Sequence, residues 1–343
     1  MAKPLVSIIL VNWNGRDVLG NCLESLTKLS YPNLEIVLVD NGSTDNSYKL
    51  LSKFKFPKKL LIRNRKNLGF AQGNNIGYKK SSGEFVLLLN NDTVVVPDFL
   101  DKLVAQISKY KTIGVVQPKI RIMDDPSLLD SIGSYLTRTG FLQHFGYLQK
   151  DNTKFDKPRF VFSAKGACML IRRSIIEKVG LFDPDYGSYL EDTDFCWRVW
   201  LLGYKILYWP DAEILHKVGF SSKRQNQVFV NYHSFKNRIA TLYKNLSLTN
   251  LVTIGGLHLL ILLMLCMYYL LTLRIENSKL VISAINYNFK NWQKLVIKRN
   301  VVQRFRTKSD KQLFNYILKP VDVIGMFGHF LRSEKMFKGK HEV

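Results

Sequence analysis

The run Phe85-Val86-Leu87-Leu88-Leu89, bounded by Gly83 before it and by Asn90-Asn91-Asp92 after it, constrains how this chain can fold more than any other stretch. Five consecutive apolar residues without alternation suit a strand covered on both faces, as strands are inside a parallel α/β sheet. Such sheets bind their ligands beyond the carboxyl ends of the strands. Asp92 therefore stands where a hard divalent cation could be held against a diphosphate, because Mg2+ takes one or two protein carboxylates and fills its sphere with phosphate oxygens. Asn and Asp are also common turn formers, and on these residues alone both readings stand.

Similar punctuation recurs along the chain. Leu5 to Val11 is a β-branched run that breaks at Asn12-Trp13-Asn14-Gly15, and Leu19, Cys22, Leu23, Leu26 and Leu29 then recur at helical spacing. Leu34 to Val39 forms a second strand that ends in Asp40-Asn41-Gly42-Ser43-Thr44-Asp45. Strand, helix, strand implies a parallel right-handed unit. Ser43 or Thr44 is expected to cap a helix through Phe54. Asp40 sits at a strand tip, as a crevice residue or as a turn former. Leu60 to Arg63 fits a short third strand, and Asn67 to Gly77 opens the helix before the central strand. Gly69, Gly73 and Gly77 leave one face of that helix bare, open to close approach by a backbone or a ligand. The first strand-to-helix turn holds only Gly15 and the chain lacks a Gly-Lys-Ser/Thr loop, which argues against a nicotinamide enzyme and a conventional ATPase.

Further on, a helix is expected from Asp98 to about Lys109 and a strand from Gly114 to Ile122. Residues 124–160 lack periodicity and read as an insertion or a mobile loop over the site. Phe160 to Ser163 and Ala167 to Ile171 bracket Lys165-Gly166, and Ser174 with Glu177 fits a capping box for a short helix ending at Gly180. Glu191, Asp192 and Asp194 crowd a helix amino terminus, backed by Phe195, Val199 and Leu202. Acidic residues there can be dipole complements and nothing more. Tyr204 to Trp209 reads as a strand, and His216 follows near Lys217 and Ser221-Ser222, either as a ligand or as a structural histidine.

Charge bears on partners. Lys and Arg number 50 against 27 Asp and Glu, a net +23, and residues 274–343 hold 15 against 5, a net +10. An anionic partner is expected, whether nucleic acid, phosphorylated substrate or anionic lipid. Cys22, Cys168, Cys196 and Cys266 show no paired spacing, so neither a disulfide framework nor a zinc site is indicated, and they fit a reducing compartment. The amino-terminal apolar run lacks a cleavage pattern and reads as a strand, not a signal peptide. Residues 245–273 contain no Lys, Arg, Asp or Glu, a length sufficient for one bilayer crossing. Basic residues on both sides oppose a single span, so an interfacial or re-entrant helix pair on anionic headgroups is expected, with a buried soluble helix as the alternative.

Taken together, Asn12-Trp13-Asn14, the Val39 to Asp45 turn, the Asn67 to Asn74 segment, Asn90-Asn91-Asp92, Gly166-Ala167, Glu191-Asp192 and His216 resemble the inverting family 2 glycosyltransferases, nearest to the rhamnosyltransferase-like branch. The resemblance covers about residues 4–222 and implies an α/β GT-A fold, Rossmann-like, with a mostly parallel sheet flanked by helices. A C-terminal helical, membrane-associating region would follow it. It divides the chain into a catalytic domain at 1–240 and a membrane-associated region at 241–343.

The resemblance also implies roles. The donor, a nucleotide-diphosphate sugar, would meet Asn12, Trp13, Asn14, Asp40, Asn67, Gly69, Asn74, Asn90 and Asn91, with Asp40 reading the base. Asp92 and His216 would hold a divalent cation, Mg or Mn. Asn90 stands where many members carry a carboxylate, which lowers the charge at the metal. Asp192, paired with Glu191, matches the catalytic base, and Gly166, Ala167 and Trp197 would face a glycan or lipid-linked acceptor. The Gln-any-any-Arg-Trp signature of processive synthases is missing, because Trp197 precedes Arg198, so one sugar per encounter is implied. The remaining expectations are membrane partnership on the cytoplasmic face with both termini cytoplasmic, no nucleic acid, and a soluble, nucleotide-binding product on truncation after about Lys244. A catalytically silent nucleotide-sugar or glycan binder shares every fold-level feature, and a basic nucleic-acid binder would account for the charge.

Overall fold

The computed structural model describes residues 3–219 and 227–320. The expected segments at Ser221-Ser222 and in the basic tail past 320 lie outside the described residues. A ten-stranded mixed sheet forms the middle layer. Its amino-terminal half is parallel: β1 (Val6–Asn12) lies between β2 (Leu34–Asp40) and β4 (Phe85–Asn90), and β3 (Lys59–Arg63) extends the edge beyond β2. The other half carries β6 (Ile113–Ile122), β11 (Cys168–Arg172) and β12 (Lys205–His216), with β11 antiparallel to both β4 and β6.

Continuous apolar runs become strands here because each face has its own cover. Ile8, Leu10, Leu87 and Leu89 pack with Leu19 and Leu23 of α1 (Arg16–Thr27) and with Phe99 and Leu103 of α4 (Phe99–Lys109). Ile9, Val86 and Leu88 point the other way, into a core with Ile175 of α5 (Arg173–Val179) and Phe195 of α6 (Glu191–Leu201). On that second face α3 (Gly69–Lys80) rides so low over β1 that a Cβ at Gly73 would come within 2.7 Å of Val11, and one at Gly77 within 2.5 Å of Ile9. The bare helix face is for sheet packing.

Several local expectations are corrected. The helix α2 (Ser47–Lys53) starts after Asn46, not Ser43 or Thr44, because the Ser43 hydroxyl instead accepts from the Asn14 backbone and the Asn12 amide. No side-chain cap starts α5, which follows Arg172 directly, so the Ser174–Glu177 box does not form. Residues 124–160 are partly ordered as strands: β7 (Asp125–Ser131) pairs with β6, β8 (Ser134–Thr137) pairs with β9 (Leu142–His144), and β10 (Arg159–Phe160) joins β12. Their pattern is hidden because Asp130, Ser131, Ser134 and Thr137 are buried polar residues. The last strand of the main sheet, β12, runs on to His216, well past Trp209.

The expected boundary at 240/241 lies within a helix, α7 (Gln227–Asn245), and Leu242, Leu246, Ile254, Val302, Leu313 and Ile317 belong to the same core as Phe195 and Trp197. After α7 comes an apolar helical stretch, Leu248–Leu271, of mean hydropathy 2.2, whose regular part is α8 (Gly256–Leu271). Then α9 (Ile275–Lys290), α10 (Trp292–Phe305) and α11 (Asp310–Ile317) fold back, and β13 (Leu318–Lys319) pairs with β8.

Candidate active site

Parallel register brings the strand tips together. Asn12 is level with Asp40, and Val11 with Asn90, so three separate turns meet at one sheet edge beside β1. The antiparallel β11 starts at that same edge, where Ala167 accepts from the Asn90 backbone N–H at 2.9 Å. This is the crevice at which such sheets bind ligands.

The polar residues predicted for the donor divide into two groups. One group is engaged in knitting the turns. Asn12 donates to Ser47 (2.8 Å) and Ser43 (3.1 Å), Asn91 donates to Asn12 (2.7 Å), and Asn14 accepts from the Thr44 backbone. Asn67 accepts from Asn41 and from the Gly69 N–H, while the Asn74 amide, 2% exposed, donates to the Phe70 carbonyl of its own helix. Gly69 has φ +82, and a Cβ there would strike the Gly187 carbonyl at 2.8 Å, so its role is close backbone approach.

The second group is open. The side-chain oxygen of Asn90, Asp40 Oδ1 and Glu191 Oε2 are buried with no hydrogen-bond partner among the described residues, and Asp40 Oδ2 and Asp92 Oδ1 have only a long ion-pair contact each, to Arg63 and His216. Buried acceptors left this way are costly, on the order of 1–3 kcal/mol each, and a cluster of them along one edge calls for donors or a cation from outside the chain. Arg63 lies 3.5 Å from Asp40 and stacks on Tyr48 at 4.3 Å, and Trp13 stands exposed beside the turn.

Asp92 and His216 are brought together by the pairing of β12 with β5 (Thr93–Val95), which sets His216 opposite Thr93. The imidazole Nε2 is 3.3 Å from Asp92 Oδ1, and its Nδ1 is 2.8 Å from Asp130. Burial alone would depress the His216 pKa, but the two carboxylates overcome it and hold the value at about 9. Among the described residues no group of three or more His, Cys, Asp or Glu forms a ready-made cage. With its pKa raised in this way His216 is an imidazolium without a metal, and a hard cation bound by Asp92, the open Asn90 oxygen, phosphate and water would have to displace its Nε2 proton for the imidazole to join as a ligand. Asp130 was missed in the sequence because it lay in the stretch without periodicity. It is fully enclosed, held to Lys165 at 2.6 Å as well as to His216, and its pKa stays low despite burial because those two groups face it.

The base candidates occupy the amino terminus of α6. Asp192 accepts from the Gly166 N–H at 2.8 Å and from the Thr193 N–H at 2.6 Å, and it remains partly open to the crevice. Glu191 is buried. Burial, then the neighbouring Asp192 charge, raises the Glu191 pKa well above its usual value. Burial raises Asp192 too, against the two backbone hydrogen bonds that favour its ionised form. Burial thus raises both carboxyls, Glu191 more strongly than Asp192, the kind of difference by which environment divides roles between adjacent carboxylates. Asp194 serves differently: it is clamped by Arg198 (3.0 Å), Lys244 (3.0 Å) and Asn245 (2.9 Å) as an anchor of the helix.

Gly166 thus holds Asp192, and Ala167 joins it to the Asn90 turn. Trp197 corrects an expectation. It is 1% exposed and meets Phe162 edge-to-face at 5.2 Å, because its place on α6 faces the core, not the crevice.

A model described as Glycosyl transferase family 2 matches residues 7–180. The poly-beta-1,6-N-acetyl-D-glucosamine synthase of Staphylococcus epidermidis is 26% identical over 208 residues, 60% of this chain and 48% of that protein. The O-antigen biosynthesis protein RfbC of Myxococcus xanthus is 29% identical over 222 residues, 62% of this chain and 17% of that protein. The chain therefore spans less than half the length of either curated relative. Among solved structures, the mannosyltransferase PcManGT from Pyrobaculum calidifontis in complex with GDP-Man and Mn2+ is similar over 89% of this chain and 87% of its own, with TM-score 0.54 and 14% identity. S. aureus TarS 1-349 in complex with UDP-GlcNAc is similar over 74% of this chain and 72% of its own, with TM-score 0.53 and 18% identity. At those identities the likeness is one of fold.

Proposed function

Since the chain belongs to glycosyl transferase family 2, we propose that it moves one sugar per encounter from a nucleotide-diphosphate donor to a hydroxyl of a glycan or lipid-linked acceptor, with inversion, in polysaccharide or O-antigen synthesis. The observation that carries this reading is the line of open acceptors from Asp40 through Asn90 and Asp92, which meets the Asp192 carboxylate across the Gly166-Ala167 backbone. Asp40 offers two oxygens to the donor groups of a nucleobase. Asp92, His216 and the Asn90 oxygen would hold a divalent cation. When bound, that cation neutralises charge developing on a departing diphosphate. Mn2+ in the PcManGT complex supports a divalent ion. Asp192 removes the acceptor hydroxyl proton as the new bond forms, and an attack from the side opposite the leaving group inverts the anomeric centre.

Asp92→Ala tests the metal assignment. Losing the carboxylate should weaken donor binding about tenfold or more, since a charged contact contributes roughly 1.5–3 kcal/mol. Calorimetry with UDP-GlcNAc and GDP-mannose, with Mn2+ and then with chelator, provides the check. Equal affinity of the unmodified protein under both conditions would remove Asp92 and His216 from any metal role.

The pH profile tests the base. A carboxyl group whose pKa is raised keeps its proton to higher pH and cannot act as a base below that value, so turnover falls as pH drops through it. At saturating donor, log kcat should bend above about 4, the ordinary aspartate range. A bend at or below that value would count against Asp192.

Membrane association is the remaining part of the proposal. Only 28% of the most apolar window of Leu248–Leu271 is buried, and Leu260, Leu263, Met264, Met267 and Leu271 are exposed. The opposite side of α8 packs on the body through His258, Leu262 and Cys266. A helix fastened along one face suits an in-plane position at a bilayer surface better than a crossing. Phe289 and Trp292, beside Lys290 at the corner of α9 and α10, are exposed as well. The cytoplasmic face would follow from a cytosolic supply of nucleotide sugar.

A further inference from the structure

The segment that precedes the base is held in an unusual backbone state. Gly187 (φ +69), Tyr189 (φ +70) and Leu190 (φ +66) all lie in the left-handed region immediately before Glu191 and Asp192. Two consecutive side-chain-bearing residues rarely stay there unless the surroundings over-determine them. One side of the turn rests on α3, where the Ala71 N–H donates to the Gly187 carbonyl at 2.9 Å. Its other side is gripped by α7.

The buried face of α7 is polar, against the usual pattern for a packed helix. Lys236, Asn237, Thr241, Lys244 and Asn245 are each at most 5% exposed, and all five address residues 183–194. Lys236 reaches the Asp185 carbonyl (2.8 Å), Thr241 pairs with the Tyr186 hydroxyl (2.6 Å), and Lys244 bridges Asp183 (2.9 Å) and Asp194. Asn237 stands at the centre. Its amide nitrogen lies 3.1 Å from the Tyr186 carbonyl, 2.9 Å from that of Ser188 and 2.7 Å from that of Tyr189. The two N–H groups of one carboxamide thus serve three carbonyls that converge on it from the strained turn, one N–H being shared.

We propose that Asn237 is a positioning residue for the transfer reaction: its carboxamide stabilises the left-handed turn at 187–190 and so aims Asp192 into the crevice. The proposal rests on the reading of Asp192 as the base. A displacement of about 1 Å at a reacting group can cost on the order of a hundredfold in rate, whereas the donor-side residues Asp40, Asn90 and Asp92 belong to other turns and should be unaffected. Asn237 would act on kcat and not on donor affinity.

The experiment compares the full-length protein with Asn237→Ala, Asn237→Asp and, in parallel, Asp192→Asn. Nucleoside diphosphate release is followed across a panel of donors that includes UDP-GlcNAc and GDP-mannose, UDP and GDP binding is measured by calorimetry, and amide exchange is read by mass spectrometry. Both Asn237 variants should lower kcat between about tenfold and a hundredfold, leave nucleotide affinity within about twofold, and speed exchange over 186–194 but not over 34–45 or 85–95. Aspartate keeps the shape of asparagine but lacks its amide donors, so normal kcat in Asn237→Asp would show that packing alone mattered and would overturn the proposal. Normal kcat with faster exchange would overturn it as well. If Asp192→Asn keeps full turnover, the base assignment fails instead, and should no donor be turned over by the unmodified chain, unchanged exchange at 186–194 in the variants still refutes the clamp.

Discussion

Asp192→Asn is expected to lower turnover by about 10²-fold or more while leaving nucleotide affinity nearly unchanged, the usual scale for losing a general base. The substitution keeps the shape of the side chain, although Gly166 and Thr193 donate to different oxygens, Oδ2 and Oδ1, so one of the two N–H groups loses its acceptor. It removes the charge that would accept the hydroxyl proton. Glu191 is not placed to substitute, because its Oε2 is buried without a hydrogen-bond partner and burial pushes its pKa well up. Donor binding depends on Asp40, Asn90 and Asp92, which come from β2 and from the turn after β4. Initial rates of nucleoside diphosphate release at saturating donor and acceptor provide the measure. Turnover within a few-fold of the unmodified enzyme would take Asp192 out of the mechanism.

Ending the chain after Lys244 is expected to abolish the native fold, contrary to the soluble nucleotide-binding product that the motif positions alone suggested. Leu246, Ile254, Val302, Leu313 and Ile317 would leave the core shared with Phe195 and Trp197. Full burial of one such side chain contributes about 1.5–3 kcal/mol, so losing five approaches the whole net stability of a domain, roughly 5–15 kcal/mol. Polar anchors would go too. Asn245 bonds Asp194, Arg299 bonds the carbonyls of Tyr243 and Leu246, and the Thr307 N–H donates to the Leu201 carbonyl at 2.8 Å, closing the end of α6. Thermal unfolding of the truncated and complete chains in matched detergent checks this. A cooperative transition in the truncated chain at the temperature of the complete one would refute it. A more conservative route to a soluble form is to replace exposed apolar residues of α8, such as Leu263 and Met267, which are more than half exposed.

The sequence by itself determined the parallel half of the sheet and the place of the crevice. Long unbroken apolar strands can only be buried on both faces, and a strand ends where Asn, Asp and Gly begin, so Asn12, Asp40 and Asn90 were each located at a tip from local information. That they are adjacent follows from register, which the alternate-face packing of Ile8 and Ile9 enforces. The family resemblance placed Asp92, His216 and Asp192 in one crevice, and the fold brings the first two within contact of each other.

Tertiary structure alone decided what each polar residue does. Asn12, Asn74 and Asn90 look alike in a sequence, yet the first two are engaged within the protein and the third is left open, because hydrogen bonding depends on what the fold brings opposite each amide. Asp130 and Asn237 carried no local signal: one sits in a strand that buries Asp130 and Ser131 beside Leu129, the other on a helix whose buried residues are mostly polar, and both blur the hydrophobic periodicity by which elements are recognised. Trp197 was misplaced for the converse reason, since nearness in sequence to Asp192 says nothing about which side of a helix faces the crevice. The domain boundary is likewise a matter of packing. A change in composition near residue 245 marks where apolar surface begins, but the limit of the catalytic unit is set by side chains such as Val302 and Ile317, which return to its core from far along the chain.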